Sequence, residues 1–192
     1  MPERFALQAE LWAALFRGED ARLVAAAAAL EAEAGEGDMR ACLHLAHLFL
    51  GFPRVLRALN LLPPRRDETP TAAGDPATGE AVFREVYGED AAPVLAHLDR
   101  LDAPFAGLVL EHAYGRSFGG SPLPLAVRER LSVLALLATA CPLQARSHLR
   151  ACLRHGVDPA TLHADLERVD WLDAATRAEA ATWIDEEAGG LA

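Results

Sequence analysis

The chain has 192 residues, 52% of them hydrophobic, and a formal net charge of −10 at pH 7. This length suits one domain or two small ones with a sizeable core. The acidic charge and the scattered arginines argue against nucleic acids and anionic membranes as partners, because both require a basic surface. The sequence contains no lysine, which excludes chemistry that depends on a lysine Schiff base.

Helical periodicity extends over most of the chain. Alanine and leucine dominate the apolar residues, and Ile184 is the only isoleucine, which favours helices over sheets. We therefore predict an all-α multi-helix bundle. The predicted helices, in chain order, are 5–17, 19–34, 38–50, 54–61, 80–87, 91–100, 103–118, 124–140, 141–155, one that begins after Asp158 as N-cap, and 173–187. Asp38 is a predicted N-cap of the third helix.

The strongly apolar segment 124–140 leaves little polar face, which predicts a buried central helix. Together with 141–155 it forms a predicted antiparallel helix hairpin at the centre of the bundle.

Residues 62–79 contain four prolines and predict a linker or a long surface loop. They separate an N-terminal helical segment, 1–61, from a larger helical core, 80–192. The charged and polar first twelve residues do not resemble a signal peptide, so we expect a cytoplasmic protein. Three cysteines in that compartment make a disulfide framework improbable.

The chemistry-bearing residues concentrate in the hairpin. Glu129 lies near the start of the first helix, and Cys141, Gln144 and His148 share one face of the second. Cys152 extends this stripe. We predict that Glu129, Cys141, Gln144 and His148 form one site between the two helices.

This pattern resembles the superfamily of carboxymuconolactone decarboxylase and alkylhydroperoxidase D. Its hydroperoxidases carry a Glu twelve residues before a Cys-x-x-Cys, and a His after three further residues; Glu129, Cys141 and His148 match these positions. Gln144 replaces the second, peroxidatic cysteine, and Leu143 replaces a relay histidine. Segments 111–115 and 155–158 also resemble family segments.

In the N-terminal half, residues 44–59 resemble the closing segment of the same superfamily, His-x-x-x-Tyr-x-Gly-x-Pro and an amphipathic helix. Either this half is a degenerate first repeat, or the family order is permuted. We expect this segment to pack against the hairpin.

The resemblance and the spacing assign His148 as a proton-transfer group, with Glu129 orienting it and Cys141 assisting. Each has a purely structural alternative. His148 can be a core histidine that bonds to a backbone carbonyl. Glu129 can pair with neighbouring arginines on an exposed turn, and Cys141 can be an inert N-cap residue.

Gln144, Glu111, His44 and His47 are the predicted substrate-binding residues. Gln144 can orient a carboxylate or carbonyl but cannot act as a nucleophile, acid or base at neutral pH. His44 and His47 can instead be histidines that pack within the fold or lie at a protein interface.

Three functions remain open at this point. The first is an enzyme that acts on a small organic acid, lactone or hydroperoxide. The second is a non-catalytic binding or assembly protein, and the third is a one-cysteine thiol peroxidase that uses Cys141.

We expect a small-molecule ligand and no cofactor. The helical spacing of His148, Cys152 and His155 is compatible with a metal ion. Because arginines flank these three residues, however, we expect no metal. The resemblance further implies a homo-oligomer.

Overall fold

The computed structural model describes residues 2–64 and 76–190, and its regular elements in these ranges are all helical, which confirms the predicted all-α class. The helices are α1 (Pro2–Arg17), α2 (Asp20–Ala34), α3 (Glu36–Leu50), α4 (Phe52–Leu61), α5 (Pro76–Tyr87), α6 (Ala91–Leu108), α7 (Leu125–Ala138), α8 (Pro142–Arg154), α9 (Pro159–Arg168) and α10 (Ala174–Gly190). A 3₁₀ turn, Gly88–Asp90, precedes α6, and a π-helix, Val109–Phe118, follows it.

The chain divides into two compact units. The first joins residues 1–65 to 123–192, and the second comprises 66–122. This division differs from the predicted one, in which 80–192 formed a single core. The physical reason is that α7 contacts α1 and α3 from the distant N-terminal segment. Of the predicted linker, 65–75 lie outside the described residues, and Pro76–Gly79 already belong to α5.

The first unit is built around α7. Residues 131–137 of this helix are all buried. A helix buried on all faces needs neighbours on several sides. α8 packs along α7, and α1, α3 and α9 contact it as well. The predicted central hairpin is therefore present, with its turn at Thr139–Cys141, where Ala140 adopts a left-handed φ of 57°.

Local signals explain several helix boundaries. Gly51 has a φ of 84°, a conformation that glycine adopts at little cost, and it separates α3 from α4. The Asp158 carboxylate accepts a hydrogen bond from the Ala160 amide at 2.8 Å, so the predicted N-cap of α9 is confirmed. The predicted N-cap at Asp38 is wrong, because α3 begins earlier, at Glu36, and Asp38 lies in its first turn.

The N-terminal helices reach the hairpin through an aromatic contact. Trp12 on α1 is fully buried, and its indole Nε1 donates a 3.0 Å hydrogen bond to the Cys42 carbonyl on α3. The Trp12 ring lies 5.8 Å from that of Phe49. The Phe49 ring in turn lies 6.1 Å from that of His148 on α8, so the expected packing of segment 44–59 against the hairpin is confirmed at this residue.

The second unit packs α5 against the π-helix. Gly79 is required there, because a Cβ atom at this position would overlap the carbonyl oxygen of Leu110. Helix α6 is interrupted at Asp102, whose backbone is extended and whose carboxylate accepts a 3.0 Å hydrogen bond from the Phe105 amide. The predicted break between 100 and 103 is therefore real.

Within 2–64 and 76–190, no helix combines the length and the apolar character needed to cross a membrane.

We predict that Trp12→Ala lowers the free energy of unfolding by about 3–5 kcal/mol, because it leaves a cavity where α1 meets α3. Leu56→Ala is the control, since Leu56 is 58% exposed and its loss should change stability by less than about 0.5 kcal/mol. Urea unfolding of both variants measures the difference. Equal midpoints for the two would contradict this account of the core.

Candidate active site

A buried carboxylate and a buried imidazole meet between α7 and α8. Glu129 is fully buried, and His148 is 5% exposed. His148 Nδ1 and Glu129 Oε2 are 2.6 Å apart, which is a short hydrogen bond. The structure therefore confirms that these two residues meet. It also excludes the alternative in which Glu129 lies on an exposed turn.

This contact has a clear electrostatic reason. A carboxylate removed from water costs several kcal/mol unless it is paired and hydrogen-bonded. The His148 ring supplies that partner to Oε2. The other oxygen, Glu129 Oε1, is buried and has no hydrogen-bond partner among the residues that the structure describes. Glu129 therefore depends on His148, and the carboxylate fixes the orientation of the imidazole.

An aromatic side chain from α3 completes this part of the site. The Phe49 ring lies 6.1 Å from the His148 ring, with the two planes at 83°. Phe49 also contacts Trp12, which anchors it to the core. α3 therefore supplies an apolar wall beside the imidazole.

Cys152 lies one helical turn after His148 on α8 and is fully buried. Burial raises the pKa of the Cys152 thiol well above its ordinary value, and the negative charge of Glu129 raises it further, against the opposing effect of Arg130. At neutral pH Cys152 is therefore a protonated thiol beside the carboxylate, and a thiol in this form is a poor nucleophile.

Cys141 occupies the N-cap position of α8, as one of the sequence interpretations held. Its side chain is half-buried and makes no capping hydrogen bond, and its sulfur lies 3.5 Å from the Thr139 carbonyl oxygen. Cys141 and His148 are seven positions apart, which is about 10 Å along the helix axis. Gln144 is exposed.

Of the four residues predicted to share one site, the described contacts thus join Glu129 and His148. Cys141 lies two turns before His148, at the N-cap of α8, and Gln144 lies one turn before His148 but is exposed.

The remaining predicted binding residues are on α3 and on the π-helix of the second unit. His44 is exposed on α3, and His47, half-buried on the same helix, bonds through Nδ1 to the His44 carbonyl oxygen. The His47 ring is 4.7 Å from that of Phe52. Glu111 is exposed on the π-helix of the second unit.

A partly buried ion pair, which was not predicted from the sequence, begins at the residue that follows Glu129. Arg130 on α7 donates two hydrogen bonds to Asp165 on α9, at 2.6 and 2.7 Å. Burial raises the pKa of Asp165, although the hydrogen bonds from Arg130 oppose this. The two residues are 35 positions apart, so no local pattern could have paired them. No group of three or more metal-ligating side chains occurs in 2–64 or 76–190.

We predict that the folded protein shows one reactive thiol at pH 8. Burial raises the pKa of Cys42 to about 12 and raises that of Cys152, so both remain protonated as well as inaccessible, whereas Cys141 is half-buried. A disulfide reagent should titrate one thiol in the native protein and three in denaturant. Cys141→Ser should remove the native signal, and a native signal that persists in this variant would contradict the assignment.

Comparisons with known proteins add a partial likeness. No protein-family model matches the chain, and no solved structure matches it. Peroxisomal protein 2 of Schizosaccharomyces pombe is 32% identical over 118 residues, which cover 56% of this chain and 55% of that protein. The chain thus spans about half the length of this curated relative and is similar to it over that part.

Proposed function

We propose that the chain is an enzyme that moves a proton during a reaction of a small organic acid, lactone or hydroperoxide, with His148 as the acid–base group. The buried hydrogen bond between His148 Nδ1 and Glu129 Oε2 is the observation that carries this proposal. Imidazole is the side chain that gains and loses protons near neutral pH, and a carboxylate partner at one nitrogen fixes the direction of the other.

The contact with Glu129 indicates which nitrogen of His148 would exchange a proton with a substrate. Nδ1 is engaged by Glu129, so exchange with a substrate would use Nε2. When His148 takes up a proton, the neighbouring carboxylate balances the imidazolium charge in a site of low polarity. Glu129 thus acts through His148 as a positioning residue, and Phe49 limits the freedom of the ring.

The resemblance to carboxymuconolactone decarboxylase and alkylhydroperoxidase D supports the same choice of residues. The positions of the cysteines also limit which peroxidase chemistry is available. A two-thiol peroxidatic cycle needs a second thiol to resolve a sulfenic acid. Cys141 and Cys152 are eleven residues apart on α8, about 16 Å, which exceeds the reach of a disulfide. Proton transfer is therefore favoured over a dithiol cycle.

The half-buried thiol of Cys141 is the observation that supports a second candidate function, a one-cysteine peroxidase reduced by an external thiol. A non-catalytic binding or assembly protein of the same fold is the third. The name of the S. pombe relative gives a location for that protein and no reaction, so it does not discriminate between the three. The homo-oligomer expected from the resemblance remains part of this proposal.

We predict that His148→Gln lowers turnover by about 100-fold or more, the usual contribution of an acid–base group, while Glu129→Gln causes a smaller loss. The assay follows decarboxylation of carboxymuconolactone by ultraviolet absorbance, over a pH range. His163→Gln is the matched control, because His163 is a more exposed histidine that also bonds to a carboxylate, that of Asp185.

The pH profile separates a positioning role from a structural one. Glu129→Gln should change the pH dependence of kcat while His163→Gln leaves it unaltered. Activity of folded His148→Gln equal to that of the wild type would sink the proposed function.

We further predict weak reduction of cumene hydroperoxide when dithiothreitol is in excess, with little difference between wild type and Cys141→Ser. The residue that matches the position of the attacking thiol is Gln144, which cannot attack a peroxide. Robust turnover that Cys141→Ser abolishes would replace proton transfer by the one-cysteine peroxidase.

A further inference from the structure

A cavity of about 500 Å³ lies within the first unit, where the first turns of α1 and α7 face one side of α9. Three arginines line it, Arg4, Arg130 and Arg168, together with a single carboxylate, that of Asp165. Apolar side chains, Phe5 and Val127 among them, form much of the remaining wall. Glu129 and His148 are not among the lining residues, so this cavity is separate from the candidate active site.

The charges at this cavity do not balance. Arg4 pairs with Asp38, on α3. Arg130 and Arg168 share the carboxylate of Asp165, which lies 2.6 Å from Arg130 Nε and 4.0 Å from Arg168 Nη1. Two guanidinium groups against one carboxylate leave one positive charge in excess, in a chain whose net charge is −10. A partly enclosed positive site of this kind selects anions.

Arg130 is held in a fixed orientation with donors to spare. Its Nε and Nη2 atoms donate to Asp165, and its Cζ lies 3.5 Å from the centroid of the Phe5 ring. A guanidinium has five N–H donors, and its planar fork matches a carboxylate. Within 2–64 and 76–190, the Nη1 atom has no hydrogen-bond acceptor. An incoming anion would supply one.

The wall of the cavity also contains a buried polar atom that is unpaired. Gln8 is 1% exposed, and its Oε1 has no hydrogen-bond partner in the part of the chain that the structure describes. Buried amide oxygens are rarely left without a donor. This oxygen is an acceptor, so it adds polarity to the wall but cannot bond to an ionised carboxylate, whose hydrogen bonds must come from the arginines.

We propose that this cavity binds a small organic carboxylate with an apolar body. The carboxylate lies against Arg130 and Arg168, and the body lies along Phe5, Val127 and Ala164. A volume of about 500 Å³ is within the range of small-molecule sites, which are mostly apolar with a few fixed polar groups. The apolar wall favours an organic acid over inorganic phosphate. This inference does not rest on the proposed function.

The test is isothermal titration calorimetry of the full chain with benzoate, its neutral analogue benzamide, and inorganic phosphate. Arg168→Gln should weaken benzoate binding about tenfold, the cost of one charge-assisted hydrogen bond. Ala164→Trp should abolish binding by filling the cavity. Both positions are exposed, so the fold should tolerate these changes, and thermal unfolding checks that it does.

Arg57→Gln is the matched control, because it removes the same charge from an arginine of the first unit that does not line the cavity. It should bind benzoate as the wild type does, and benzamide should bind at least about tenfold more weakly. Absence of benzoate binding, equal binding of benzamide, stronger binding of phosphate, or unaltered binding in Ala164→Trp would each overturn the proposal.

His148→Gln separates the two sites. Benzoate binding that is unchanged in this variant supports the cavity, whatever happens to turnover. Binding that is lost in folded His148→Gln would place the carboxylate at the acid–base pair and would overturn the cavity proposal while leaving the proposed function intact.

Discussion

Helix α7 is buried along most of its length and yet carries a carboxylate inside the first unit. Residues 131–137, apolar except for Ser132, are buried and need neighbours on several sides, and these come from both ends of the chain. Glu129 is buried near the start of the same helix, and its Oε2 atom pairs with His148 on α8. The packing of α1, α3, α8 and α9 around α7 thus creates both the core and the buried environment of the carboxylate–imidazole pair.

Two side-chain contacts made by residues of α7 divide its first turns into two regions. Glu129 is directed to α8, where it meets His148, and Arg130 is directed to α9, where it meets Asp165. Neighbouring positions on a helix point about 100° apart, so adjacent residues of opposite charge serve different partners. One region has the features of an acid–base site, and the other opens on a cavity with spare cationic donors.

Cys152 shows how the same surroundings suppress a reactive group. Burial and the charge of Glu129 both raise its pKa, so the thiol stays protonated next to the imidazole. Cys141 is more accessible, but it is separated from His148 by two turns of α8. These positions are the reason that the proposed function assigns proton transfer to His148 rather than a reaction to sulfur.

The sequence by itself determined the helical class, the central hairpin and the meeting of Glu129 with His148. These depend on local rules, namely apolar periodicity, proline and glycine at helix ends, and the register of two consecutive helices joined by a short turn. The tertiary structure alone decided the rest. A shared helix face did not bring Cys141 to His148, because periodicity gives direction around an axis and not distance along it. Gln144 is only one turn from His148 but is exposed, whereas His148 is buried. The Arg130–Asp165 pair and the grouping of 1–65 with 123–192 depend on contacts between distant segments, which no local pattern encodes.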